Sequence, residues 1–292
     1  LNLGILRYPI NTEEKNLDKL MKYLSIALLK SKRIKEGLKY QYFDYNDYVE
    51  DQFETNLIKQ IDDQITNETL DLCFTQIIDL ANNRIYGYDV NVYSHEIDIS
   101  SQYFYIIASK RNLLEKLEKY LIKQSFKALN EIVKKTQKYV RLSLSVSANT
   151  LKLNEFNRFI FGLYEQYQIP YHLVDFVFLM KDGTLSDFQK SKELNEAGIS
   201  IGVDQLNYTL ETYTNFYHIT DRPRSFSERY LSLLSHQKAF FDTHKIGVVF
   251  YNVSDKNEQK KLLELGIKYI KNQKTDQVLK LNQIIDIINE ST

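Results

Sequence analysis

The sequence predicts an α/β protein: a closed (β/α)8-type barrel with one reversed strand, preceded by a small β-α-β fragment and a linker helix. Three observations predict it. From Lys138 onward, apolar strand-like runs alternate with helix-like runs without a break, an order that demands parallel strands joined by crossover helices. About eight strand candidates fall within roughly 225 residues, which is barrel size. The first two of them are joined only by Leu80-Ala81-Asn82-Asn83-Arg84, too short for a parallel crossover, so they run antiparallel. A doubly wound open sheet is the main rival, but no Gly-rich phosphate loop follows any strand.

The elements follow in order. Leu3 to Tyr8 reads as a strand, Leu17 to Ile34 as a helix and Leu38 to Phe43 as a strand. So small a piece cannot bury its own core, which makes residues 1–47 the tail end of another domain. Val49, Phe53, Leu57, Ile61 and Ile65 then recur every four residues, an amphipathic linker helix over 48–66. The barrel occupies 67–292. Its strands are expected at Leu70 to Ile78, Ile85 to Val92, Tyr139 to Ser147, Leu173 to Leu179, Ile199 to Val203, Phe216 to Thr220, Ile246 to Tyr251 and Ile267 to Ile270. Helices are expected near Asn112 to Gln137, Glu155 to Tyr167, Leu185 to Ala197, Ser227 to His244, Glu258 to Leu265 and Gln277 to Ile288. Gly198, Gly247 and Gly266 fall where helices stop and strands begin.

Composition bounds the function. The chain has 292 residues, 38 Lys and Arg against 38 Asp and Glu, so no global charge draws it to nucleic acid. Cys73 is the single cysteine, which excludes a disulfide framework and a multi-thiolate zinc site, and points to a reducing, cytoplasmic compartment. No apolar run approaches the ~18 residues of a membrane span. Leu1-Asn2-Leu3-Gly4 is neither an initiator nor a signal peptide, so the chain reads as a piece of a longer protein.

Phe74-Thr75-Gln76-Ile77-Ile78-Asp79-Leu80, followed by Ile85-Tyr86-Gly87-Tyr88-Asp89-Val90, resembles the opening of an EAL domain, the bacterial phosphodiesterase that linearises cyclic di-GMP. The family pattern there is YQPIVDL, a short turn, then IVGFEALLR. Leu144-Ser145-Val146-Ser147-Ala148 stands where the family has VNLSA, Gly198 to Asn207 where it has a glycine, a strand and DDFG, and Val248 to Ser254 where it has VVAEGVE. The resemblance covers Thr69 to Ile288 and rests on block order and spacing more than on identities. It implies a TIM-like barrel with an antiparallel first strand. Residues 1–47, with Leu3-Gly4-Ile5-Leu6-Arg7-Tyr8-Pro9, resemble the last strand, helix and strand of a GGDEF domain, which precedes EAL domains in many signalling proteins.

In this family metal ions and phosphate are held at the C-terminal ends of the strands, where several carboxylate or amide oxygens converge. The resemblance places Asp89 at the glutamate of EAL, Ser145 at the asparagine of VNLSA, Val177 at the first glutamate of the EITE strand, and Asp204 and Gln205 at the paired aspartates. Tyr251 and Ser254 take the two glutamates of AEGVE, Tyr93 takes an arginine, and Lys271-Asn272-Gln273 takes the QGY block. The lysine of the KID strand matches either His218 or Asp221. Two acidic residues remain, Asp89 and Asp204, while Val177 and Tyr251 put apolar and aromatic bulk where oxygens belong. Losing several charge-stabilising groups leaves no credible catalyst.

The expected function is therefore a catalytically inactive, regulatory or protein-interaction module, with another protein, its own GGDEF domain or a second copy as partner. The alternatives are a cyclic di-GMP receptor that does not hydrolyse it, with Thr75, Gln76, Asp89 and Asp204 as candidate contacts, and a weak metal-dependent phosphodiesterase. No cofactor is expected; Mg2+ or Mn2+ would enter only with that last alternative. The five histidines show no ligand spacing, and Cys73 reads as a buried inert thiol. Arg222-Pro223-Arg224 reads as a solvated loop.

Overall fold

The computed structural model describes residues 2–290 except 35, 36, 38, 98, 111, 182, 212, 222, 224, 254 and 272–277. The chain divides into two compact units, Leu1–Glu68 and Thr69–Thr292.

In the first unit β1 (Leu3–Ile5) and β2 (Tyr40–Tyr42) form a two-stranded parallel sheet in the register Leu3 to Tyr40, with α1 (Leu17–Lys32) as the crossover. The helix starts where Asn16 accepts from the Lys19 N–H. Gly4 lets it lie directly on the sheet: a Cβ there would come within 2.5 Å of the Leu28 backbone nitrogen. Tyr23, Ala27 and Phe43 form the core, with the Tyr23 and Phe43 rings stacked 4.3 Å apart. The helix α2 (Tyr45–Thr66) begins about one turn before the expected start at residue 48 because Asp44 caps it, accepting from the Asn46 N–H.

The second unit is a closed eight-stranded barrel. Around it run β3 (Asp71–Asp79), β4 (Arg84–Tyr93), β5 (Leu142–Ser147), β6 (Val174–Leu179), β7 (Ser200–Val203), β8 (Phe216–Ile219), β9 (Gly247–Tyr251) and β10 (Tyr269–Lys271). The strand β3 is antiparallel to both of its neighbours, β4 and β10, and every other pairing is parallel. The hairpin between β3 and β4 is closed by Asp79, whose carboxylate accepts from the Ala81 and Asn82 N–H groups, and by Asn83 in the left-handed region.

Two-residue alternation sends Leu142, Leu144 and Val146 of β5, Phe176 and Phe178 of β6 and Ile201 and Val203 of β7 outward, where each is fully buried under the helical layer. That layer contains α4 (Leu114–Thr136), whose Leu117, Leu121, Phe126, Leu129 and Ile132 are buried, and α5 (Phe156–Tyr167). Between β4 and α4 lies α3 (Ser101–Lys110), a helix not foreseen from the sequence. Its buried Phe104, Ile107 and Ala108 have helical spacing, but the run Tyr103 to Ile107 has the aromatic and β-branched content of a strand. The helix expected over Leu185 to Ala197 is broken into Leu185–Gln189 and Lys192–Glu196. At the break both the N–H and the hydroxyl of the buried Ser191 donate to the Phe188 carbonyl, which tightens the turn. Among the described residues no helix is long and apolar enough to cross a membrane.

Candidate functional site

The mouth of the barrel, at the C-terminal ends of the parallel strands, gathers most of the residues that the sequence singles out. Alternation turns Asp89 of β4 inward, level with Thr75 on β3 and Ser143 on β5. Its carboxylate is 1% exposed and does not stand alone. The Lys271 ammonium, itself 4% exposed, lies 2.5 Å from Asp89 Oδ2, and Asn91 Nδ2 donates to the same oxygen at 2.7 Å. Lys271 comes from β10, where register sets it beside Tyr251 of β9, and its ammonium stands 4.6 Å from the centre of the Tyr251 ring.

Tyr251 and His218 fill the next sector. The Tyr251 hydroxyl is 3.0 Å from His218 Nδ1, and Ser145 also hydrogen-bonds the phenol. Burial first, then the charges of Asp89 and Asp204, push the phenol far above its ordinary range, so it stays protonated. Burial, with a smaller push from the Lys271 charge, lowers His218 to about 3. The imidazole is therefore neutral at physiological pH. It fits because β7 carries a glycine beside it: a Cβ on Gly202 would meet His218 Nε2 at 2.8 Å and Val177 Cγ2 at 3.4 Å. Val177, fully buried, thus packs against the glycine that admits the imidazole.

Asp204 is half-buried just beyond β7, and its carboxylate accepts from the Met180 N–H at 2.9 Å, tying the end of β6 to the end of β7. Burial raises its pKa, the Met180 hydrogen bond pulls it down, and the Asp221 charge adds to the rise. Gln205 follows, half-buried, and opens a short helical turn at Leu206–Leu210.

Other expected positions resolve less favourably. Thr75 faces inward beside Asp89, but Gln76 pairs with Tyr88 on the opposite face of the strand, away from the mouth. Of the two candidates for the KID lysine, His218 lies on β8 with its side chain inside the barrel, and Asp221 is exposed beyond the strand. Ser254, Arg222, Arg224, Asn272 and Gln273 lie outside the described residues. Tyr93 is exposed at the end of β4, and Cys73 is buried. His95 is exposed and 2.8 Å from Asp71.

Behind the mouth, Glu118 of α4 is a buried carboxylate that accepts from the N–H of Ser147 at 2.9 Å and from its hydroxyl at 3.0 Å. Burial pushes it up to about 7 against those hydrogen bonds. Two clefts open elsewhere on the barrel unit. One of about 780 Å³ lies between α5 and the broken helix that follows β6, and one of about 590 Å³ lies at the opposite end of the barrel, beside Tyr86 and Arg141.

The sequence from residue 58 to residue 220 matches the model of the EAL domain family, and that span is more than half of the chain. The chain belongs to the EAL domain family. No curated protein matches it in sequence. Among solved structures it is similar to the EAL enzyme Bd1971 in its cAMP- and cyclic di-GMP-bound form, with a TM-score of 0.71 and 17% identity over 94% of this chain and 76% of that one. It is also similar to the FimX EAL domain of Xanthomonas citri in complex with cyclic di-GMP, with a TM-score of 0.67 and 11% identity over 80% of this chain and 97% of that one. The EAL domain of Mycobacterium smegmatis DcpA gives a TM-score of 0.63 and 12% identity over 76% and 98%. At these identities the likeness is one of fold.

The metal ions that an EAL barrel implies do not fit this mouth. Among the described residues no three His, Cys, Asp or Glu side chains gather to hold a metal ion. Asp89 already has an ammonium and an amide on one oxygen, Asp204 holds a backbone N–H, and Val177 and Tyr251 offer no carboxylate. Lys271 is the residue that sequence reasoning missed. It had been matched to a glutamine of the family, and nothing in its neighbourhood along the chain points to a partner 182 positions away.

Proposed function

We propose that this is a non-catalytic EAL domain that acts as a cytoplasmic regulatory or protein-interaction module in cyclic di-GMP signalling. The observation that carries the reading is the content of the barrel mouth. Four side chains, those of Lys271, Tyr251, His218 and Val177, are buried where hydrolysis would need oxygen ligands for divalent cations. A neutral imidazole, a protonated phenol and a valine supply no anionic ligand, and the ammonium repels a cation outright. On this reading residues 1–47 are the remnant of a GGDEF-like domain, 48–66 a linker helix and 67–292 the degenerate barrel, with another protein, a GGDEF domain or a second copy as partner. The parallel β-α-β order of the first unit supports that division.

The test is turnover. Incubated with cyclic di-GMP and either Mg2+ or Mn2+, the chain is expected to yield no linear dinucleotide. Linear product that disappears in Asp89→Ala would overturn the proposal. The receptor reading has one observation in its favour: Thr75, Asn91, Ser145, Ser147 and Gln205 place half-buried polar groups around the mouth. Calorimetry with cyclic di-GMP separates the two. A pure interaction module gives no binding heat, and a receptor gives saturable heat without product.

A further inference from the structure

The Asp89–Lys271 pair has features that a simple vestige would lack. Stripping an ammonium or a carboxylate of water costs several kcal/mol per ion unless pairing restores it. Here Lys271 enters from β10 and reaches past β3, which lies between β10 and β4, to meet Asp89. Of the inward positions of β3 between them, Ile77 is in register with Lys271 and the small Thr75 with Asp89. The ammonium is a compact point charge, and it is set against a carboxylate oxygen and an aromatic face. That is how a protein surrounds a bound cation.

The second carboxylate oxygen adds an independent observation. Asp89 Oδ1 and the neighbouring Ser143 Oγ are both buried, and neither finds a hydrogen-bond partner among the described residues. The carboxylate is therefore held through Oδ2 alone, and with the ammonium removed its charge is left without a cation.

We propose that Lys271 is a tethered counter-ion: its ammonium takes the place of a divalent cation at Asp89, so the folded chain holds no metal there and relies on its own lysine for charge balance inside the barrel. The proposal rests on the non-catalytic reading, yet the two fail differently. Metal binding without turnover would end this proposal and leave that reading intact.

The experiment is thermal unfolding of the full chain with Mn2+ or with chelator, for the natural sequence, Lys271→Gln, Asp89→Asn and the double variant. For the natural chain Mn2+ is expected to leave the melting temperature where chelator leaves it. Lys271→Gln is expected to melt about 10 °C lower, because a buried carboxylate loses its partner. Adding Mn2+ should restore part of that loss in Lys271→Gln and none in the double variant. The double variant should be more stable than Lys271→Gln alone, since both charges leave together. Should Lys271→Gln fail to fold, a double variant that folds is the expected result, and a double variant that also fails to fold overturns the proposal. A Mn2+ shift in the natural chain that vanishes in Asp89→Asn would overturn the proposal. So would a Lys271→Gln variant indifferent to Mn2+, or a double variant no more stable than Lys271→Gln.

Discussion

The barrel carries a buried carboxylate–cation pair at each end, and the two differ in ways that separate scaffold from site. At the mouth Asp89 meets a lysine, and both side chains are almost wholly withdrawn from water, at 2% and 5% exposure. At the opposite end Asp175 of β6 meets Arg141 at 2.9 Å, and the arginine side chain keeps 25% exposure. Arg141 also lies over the Tyr86 ring at 5.0 Å, and Tyr86 packs on Tyr269, whose centroid is 4.4 Å away. A planar guanidinium on an aromatic floor, open to a cleft, closes the bottom of a barrel while remaining hydrated. A point-charge ammonium sealed under Tyr251 has no such contact with water. The arginine closes the floor while still in contact with water, whereas the lysine in the mouth balances one buried carboxylate away from it.

Several substitutions probe the contrast. Lys271→Met should have the largest effect, costing on the order of 3–5 kcal/mol in denaturant unfolding, because it strands Asp89 deep in the barrel. Arg141→Met should cost about 1–2 kcal/mol, since water reaches that pair and screens it. Equal losses at the two ends would erase the distinction between them. Tyr251→Phe should cost about 1 kcal/mol by removing the hydroxyl from His218.

A further expected effect is one of sign with pH. His218, held at about 3, takes a proton more readily in the unfolded chain, so its contribution to stability is lost as pH falls from about 6.5 toward 3. Burial, against the opposing Arg141 charge, raises Asp175 to about 6 from the ordinary 3.8. The folded chain is then the better proton acceptor between those values, and its stability rises as pH falls through that window. The stability difference between His218→Gln and the natural chain, followed with pH, should therefore slope opposite to that for Asp175→Asn. Parallel slopes would contradict the assignment of the two environments.

Much of this was legible from residues alone, and the remainder was hidden for identifiable reasons. The reversed strand followed from a five-residue connection, and Asp89, Val177 and Tyr251 were placed by the resemblance to the family's blocks. Gln76 lies on the outer face because strand alternation turns it opposite to Thr75, a distinction the block resemblance does not carry. The space that admits His218 is a property of Gly202 on another strand, and a glycine within a β-run does not announce which neighbour fills it. Lys271 was the hardest to see, since its significance depends on ring closure bringing β10 beside β3, a contact of the barrel and not of the local chain. The break at Ser191 turned on a hydroxyl returning to a carbonyl three residues back, which a hydrophobic period does not register.

The central claim is that the protein's own cation and aromatic side chains occupy the place of catalytic metals. Anomalous diffraction from crystals soaked with Mn2+ and cyclic di-GMP tests it most directly. The account predicts no manganese peak within coordinating distance of Asp89, with Lys271 still on its carboxylate. A manganese peak bound to Asp89 with Lys271 swung aside would contradict it.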